Sequence, residues 1–440
     1  MNKRFLPAAE QGRLIADCKL DPVDQVETYL EAANTADGRL TYARLTPDRA
    51  RAEAMAARTR AKRGLLLGPL DGVVLSWKDL FDTAGVATEA GTRLLKGRVP
   101  KKDAQVLERA TANGTICLGK THMTELAFSG LGVNPMTATP PNVHDPRLAP
   151  GGSSSGAAVS VGLGMAAAAV GSDTGGSVRV PSAWNDLVGL KTTHGRIGKR
   201  GVVPLCEGFD TIGPLCRTVE DCAHVLAVME NRRAPDLQDC SLKGTRLMVL
   251  EGLPFQDARS APIEGFELAV DRLAAAGAAI ERCALPMVDM AMDLSGVLFA
   301  PEAYGAWKHL IEARPDDMYP LIRDRFRSGR DISAADYTKG WADLRQWRAQ
   351  YLEATADFDA VLLPTAPIMP PDAERLLIDP AYFATENLLA LRNTRIGNIL
   401  NLCVLTLPTG HPATGISMMA APMQEDRLLR LGMAAEHALG

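Results

Sequence analysis

The chain has 440 residues, 46% hydrophobic and 23% charged, an ordinary globular balance in a chain long enough to bury a large core. Its net charge of −4 offers no basic face, so neither nucleic acid nor an anionic membrane is expected as a partner. The start, MNKRFLPAAEQGRL, lacks the apolar core of a signal peptide, and the apolar run 157–170 is too short and glycine-broken to span a membrane; a cytoplasmic protein is expected.

Asp21 followed by Pro22 reads as a capped helix start, with apolar positions at Val23, Val26, Tyr29 and Leu30. A second helix, rich in alanine and arginine, is expected over 47–63 with its charges on a solvated face. The turn GPLDG at 68–72 leads into an apolar strand that ends at Lys78. Asp103 is placed to cap the next helix, and 115–119 reads as another buried strand. The density of Gly, Pro and Asn after Ser129 predicts a long irregular connection as far as Pro150.

Strand, helix and strand are expected again over 246–285, then helices over 287–348 carrying Phe299, Tyr304, Trp307, Tyr319, Phe326, Tyr337 and Trp341. Buried strands follow at 360–367 and 401–408. Helix–strand alternation of this kind is an α/β pattern. The eight cysteines and seven histidines are dispersed without metal-ligand spacing, so reduced thiols and no metal or cofactor are expected.

The densest stretch is 150–181, PGGSSSGAAVSVGLGMAAAAVGSDTGGSVRVP. Two glycine-serine turns flank a segment apolar enough to be buried, which presents several hydroxyls at one edge. Lys78 stands inside the apolar run GVVLSWKDL, and a lysine is rarely buried without a partner. A serine hydroxyl is a poor nucleophile until a base takes its proton. Lysine can be that base only when neutral, which burial favours by lowering a pKa of roughly 10.4. Asp79 would oppose this if it faced the amine, but strand alternation points it to the other side.

Together these pieces resemble the amidase signature family, serine hydrolases with a Ser–cis-Ser–Lys triad. The likeness implies an α/β fold, a large mixed twisted β-sheet covered by helices on both faces, built as a single amidase signature domain over 1–440. Within it, 61–225 would form the catalytic core and 240–350 a divergent helical region contributing to the substrate channel. It places Ser177 at the nucleophile position, Ser153 at the cis-serine position after a cis Gly152–Ser153 peptide, and Lys78 at the lysine position.

The resemblance further implies an oxyanion hole from the backbone N–H groups of Thr174, Gly175, Gly176 and Ser177. Ser154 is the candidate to orient Lys78 or Ser153, and Asp173 with Arg179 reads as a brace of the nucleophile turn. Ala127, Phe128 and Ser129 are candidates for the acyl pocket, although for Phe128 a packed connecting turn serves as well. Arg196, Asp210 and Arg217 are expected to brace loops around the site. The hairpin at 409–415 is shorter than the family's usual glycine-rich one.

Other readings fare less well. Ser154 in GSSSG matches an α/β-hydrolase elbow, but the string follows a loop, and no acid and histidine arrive in order. A phosphate-binding loop lacks its Gly-Lys-Ser/Thr ending. Within the family, the A subunit of a tRNA-dependent glutamine amidotransferase is the rival, and a non-catalytic binding protein on the same fold is a third reading. The expectation is a stand-alone amidase that hydrolyses a small-molecule carboxamide through an acyl-serine, with carbamates, urethanes and esters left open. Homodimers are frequent among such proteins.

Overall fold

Eleven strands drawn from both ends of the chain join in one mixed sheet in the computed structural model, which describes residues 3–440. In chain order they are β1 (Tyr42–Leu45), β2 (Val74–Lys78), β3 (Ile116–Thr121), β4 (Ala168–Asp173), β5 (Val188–Lys191), β6 (Thr211–Cys216), β7 (Arg246–Glu251), β8 (Ala279–Ala284), β9 (Ala360–Pro364), β10 (Cys403–Pro408) and β11 (Gly415–Ala420). Across the sheet the order is β1-β3-β2-β4-β6-β5-β10-β11-β9-β7-β8. β2 runs parallel to both β3 and β4, and β7 parallel to β8 and β9. The central strands are buried on both faces, as expected where helices cover each side. β8 closes one edge with the half-polar sequence AIERCA and is largely exposed.

The helices follow from local chemistry. Asp21 caps Pro22–Ala33 by accepting from the Val23 N–H at 2.9 Å. Pro47–Lys62 buries Ala50, Ala54, Ala57 and Ala61, a stripe at helical spacing, and turns its charges outward. Asp103 does not cap Gln105–Ala112: Ala104 occupies that position, and the Asp103 carboxylate instead takes a bidentate pair from Arg49 and the Ala84 N–H. The strand expected at 115–119 runs one residue later and reaches Thr121. Four helices fill 286–354, as expected from the aromatic spacing.

Register decides which lysine faces where. β2 and β3 pair Trp77 with Lys120 and Lys78 with Thr121, so Lys78 and Lys120 point to opposite faces. Asp79, just past the strand, turns to Lys120 at 3.1 Å, away from Lys78 as alternation requires. The helix Ser155–Gly162 is tied to β2 through Ser160 and Ser76, whose hydroxyls lie 2.7 Å apart. That tie sets Ser153 and Ser154, at the helix start, against the C-terminal end of β2. Among the described residues no helix is long and apolar enough to cross a membrane, and all eight cysteines are free thiols.

Candidate active site

Lys78, Ser153 and Ser177 come from a strand end, a helix start and a strand-to-helix turn. Lys78 and Ser153 are fully buried, and Ser177 nearly so. The Lys78 Nζ donates to Ser153 Oγ at 2.7 Å and to Ser172 Oγ at 2.8 Å. The Gly152–Ser153 peptide is cis. The Ser154 N–H reaches the Ser177 carbonyl at 3.3 Å, which joins the two turns. Among the described residues, no hydrogen bond links the Ser153 and Ser177 hydroxyls directly.

Among the described residues, no carboxylate touches Lys78. Burial pushes its pKa down to about 7, and the charges of Asp173 and Asp210 only partly oppose this. Its contacts are hydroxyls, which can both accept from an ammonium and donate to an amine.

The turn after β4 is held by a closed network. Arg179 forks onto Asp173, with Nε to Oδ2 at 3.0 Å and Nη2 to Oδ1 at 2.9 Å. Its remaining donors reach the Thr394 carbonyl and Asn398 Oδ1, both at 2.6 Å. Asp173 also accepts from the Gly176 and Val178 N–H groups and from Asn398. Both charges are buried, so this pair needs every one of those bonds. The arginine that binds the cluster together holds Asp173 below the usual carboxylate range despite its burial.

Gly176 sits at φ +139°, where a Cβ would fall 2.1 Å from Thr394 Oγ1. The close approach to the Pro380–Ile399 helix therefore requires glycine. The Gly176 N–H is occupied by Asp173, whereas those of Thr174, Gly175 and Ser177 make no hydrogen bond among the described residues. Thr174 is fixed from its side chain, which donates to Asp210 at 2.5 Å.

Among the described residues the Ser154 side chain makes no hydrogen bond to Lys78 or Ser153. Its Oγ donates to the Ser172 carbonyl at 3.2 Å, and Ser172 is the residue that grips the amine. Glycine at 171 makes room for this, since a Cβ there would meet Ser154 Oγ at 2.6 Å. Arg196 bridges Glu230 and Glu425, Arg217 is bound by the carbonyls of Val161 and Ala167, and Asp210 accepts from the Leu205 and Cys206 N–H groups. Asp210 thereby braces the turn that carries Thr174, while Arg196 and Arg217 tie together other segments of the fold.

Ser177 opens on a cavity of about 270 Å³. Ala127, Phe128 and Ser129 line it, as do Thr174 and Gly175. Phe128 is pocket wall and packed turn at once, because it also stacks edge-on against Phe326 at 4.6 Å. Of the seven aromatics named above over 287–348, Phe299 reaches the wall, while Trp307 is spent on the Pro204 carbonyl and Trp341 stacks on Phe209. The hairpin between β10 and β11 contributes nothing to the lining. Leu388, Leu391 and two arginines, Arg325 and Arg395, were not expected from the sequence.

A family model of amidases matches residues 24–429. The chain belongs to the amidase family. It is an amidohydrolase acting on amide C–N bonds. It is 35% identical to a 2-amino-5-chloromuconic acid deaminase from Comamonas testosteroni, over 100% of this chain and 97% of that one. It is 29% identical to the A subunit of a glutamyl-tRNA(Gln) amidotransferase from Chloroflexus aggregans, over 98% and 96%. A crystal structure of an amidase superposes with a TM-score of 0.88 at 29% identity, covering 99% of this chain and 100% of that one. The peptide amidase of Stenotrophomonas maltophilia gives 0.84 at 25% identity, over 98% and 96%.

Proposed function

We propose that this amidase hydrolyses a small carboxamide through an acyl-serine intermediate, with Ser177 as nucleophile, Ser153 as proton relay and Lys78 as base. The observation that carries this reading is the Lys78–Ser153 contact of 2.7 Å around a buried amine with no carboxylate partner among the described residues. Neutral Lys78 draws a proton from Ser153, which draws one from Ser177 as the Ser177 oxygen attacks the amide carbon. A turn of the Ser177 side chain toward Ser153 closes the relay, an adjustment of the kind that substrate binding brings about. Ser153 then returns the proton to the leaving nitrogen as the C–N bond breaks, and water cleaves the acyl ester by the same route.

The developing oxyanion would be received by the free N–H groups of Thr174, Gly175 and Ser177. Gly176 lies in the same turn but serves through its conformation, since its N–H belongs to Asp173. Of two named relatives, the deaminase is named for an amino acid and carries no amide in its substrate's name, whereas the amidotransferase subunit supports a primary carboxamide as substrate over an anilide. The second of these also supports the rival reading of an amidotransferase subunit, which would hydrolyse glutamine with a partner present.

The test is a panel of primary amides, anilides, carbamates and glutamine, run beside Ser177→Ala and read by mass spectrometry for a covalent acyl adduct. Turnover of primary amides by the protein alone, with an adduct on the peptide containing Ser177 that vanishes in the variant, is the expected result. Hydrolysis of glutamine alone would favour the amidotransferase reading. Undiminished turnover in Ser177→Ala would overturn the nucleophile.

A further inference from the structure

The cavity beside Ser177 contains positive charge that the protein leaves unanswered. Arg325, on the helix Pro320–Arg327, and Arg395, on the helix Pro380–Ile399, both line it. Among the described residues neither guanidinium is ion-paired, and Arg325 Nε is buried without a hydrogen-bond partner. The Arg325 guanidinium lies 4.7 Å over the Phe128 ring, and Arg395 Nε would lie 3.9 Å from a Cβ at Gly175, one residue before Gly176 in the nucleophile turn.

Their sequence neighbours behave differently. Arg323 and Arg327 pair with Asp324 and Glu312, and Arg392 is bound by Asn393 and the Pro254 carbonyl. Burial lowers Arg325 to about 9, helped by the charge of Arg395, and lowers Arg395 to about 10, with no carboxylate acting on either among the described residues. Two like charges turned into a cavity whose other walls are apolar side chains and neutral hydroxyls, with no carboxylate among the lining residues, are unfavourable until an anion enters. A guanidinium presents a planar fork of donors that matches a carboxylate.

We propose that the substrate is the monoamide of a small dicarboxylic acid, its free carboxylate clamped by Arg325 and Arg395 while its amide carbonyl lies at Ser177. This rests on the reading of Ser177 as the attacking group and adds the chemical class of the acyl part. Hydrolysis breaks the amide C–N bond, forms a C–O bond from water and releases the amine with the dicarboxylate. The product therefore carries the same clamped carboxylate as the substrate, and it should bind to enzyme that cannot turn over.

Calorimetric titration of Ser177→Ala with malonate, succinate, glutarate and adipate is the test, alongside glutaramide and inorganic phosphate. One dicarboxylate of the series should bind at least about 100-fold tighter than the uncharged diamide, with affinity falling as salt rises. Arg325→Met and Arg395→Met should each weaken that binding by at least about tenfold, while the lysine variants keep part of it. In enzyme with Ser177 intact, the same Met substitutions should raise KM for glutaramate far more than they lower kcat, and by a much larger factor than they change KM for butyramide.

Dicarboxylates binding no better than glutaramide would overturn the proposal, and so would folded Met variants that bind unchanged. Phosphate binding without any dicarboxylate would overturn it as well. Should the Met variants fail to fold, the comparison of dicarboxylate with diamide in Ser177→Ala with both arginines intact still decides. Loss of the nucleophile reading would appear as activity in Ser177→Ala and would leave these titrations unaffected, so the two claims fail separately.

Discussion

Lys78 and Lys120 stand on adjacent parallel strands, both buried, and face opposite sides of the sheet. Lys120 is answered by Asp79 at 3.1 Å and by Thr88 Oγ1 at 2.8 Å, so its charge is part of the fold. Lys78 meets two serine hydroxyls and, among the described residues, no carboxylate, and burial acts on it with little opposition. The same residue type in the same sheet is thus a paired cation in one place and, on the reading proposed above, the base in the other. Partner chemistry makes the difference, since a carboxylate fixes the ammonium form whereas a hydroxyl accommodates either form.

The largest effect expected from breaking this contrast is at Lys78. Lys78→Ala should lower kcat by about 10²–10⁴ while the protein stays folded, because the base is lost and no buried charge is orphaned. The steady-state rate beside a circular-dichroism melt reads both parts of that statement. The opposite pattern is expected on the other face. Asp79→Asn strands Lys120 in the core and should destabilise the protein by about 3–5 kcal/mol in urea unfolding. At a temperature where the variant remains folded, the pH profile of its kcat should match that of the wild type.

Smaller changes sharpen the contrast at Lys78 itself. Ser172→Ala removes one of the two hydroxyls that hold the amine and should cost about tenfold in kcat with KM nearly constant, as for a positioning residue. Asp210→Asn removes a negative charge that favours the ammonium form of Lys78. It should move the acid limb of the rate profile to lower pH, which a series of kcat/KM measurements would show. An acid limb that moved upward would mean that Asp210 acts on some other group.

Much of this arrangement was readable in the chain. An isolated lysine in an apolar strand and two glycine-serine turns carry the resemblance to the amidase signature family, and it was that resemblance, not a local property, that grouped Lys78, Ser153 and Ser177. Alternation sent Asp79 away from the amine. What escaped depended on distant partners. Asp103 has the right spacing for a cap, but Arg49 offers it a bidentate ion pair that outcompetes a single N–H.

Ser172 lies in the same short string as Ser177, and only the folded contact of its hydroxyl with the Lys78 amine at the end of β4 reveals its role. Arg325 sits in RDRFRSGR, where Arg323 and Arg327 are ion-paired to Asp324 and Glu312; nothing local distinguishes the one that turns to the cavity. Arg395 is hidden in the same way within a long helix.

The most direct test of the account is the pH dependence of acylation, measured by single-turnover kinetics on a good amide substrate in the wild type and in Lys120→Met. Lys78 must be neutral to act, and its pKa lies at about 7, so the rate should fall tenfold per unit below that value and level off above it. Lys120→Met should show the same limb, displaced by no more than the loss of a remote charge allows. A rate that is flat between about pH 5 and pH 9, or a limb that disappears with Lys120, would contradict the assignment of Lys78 as the base.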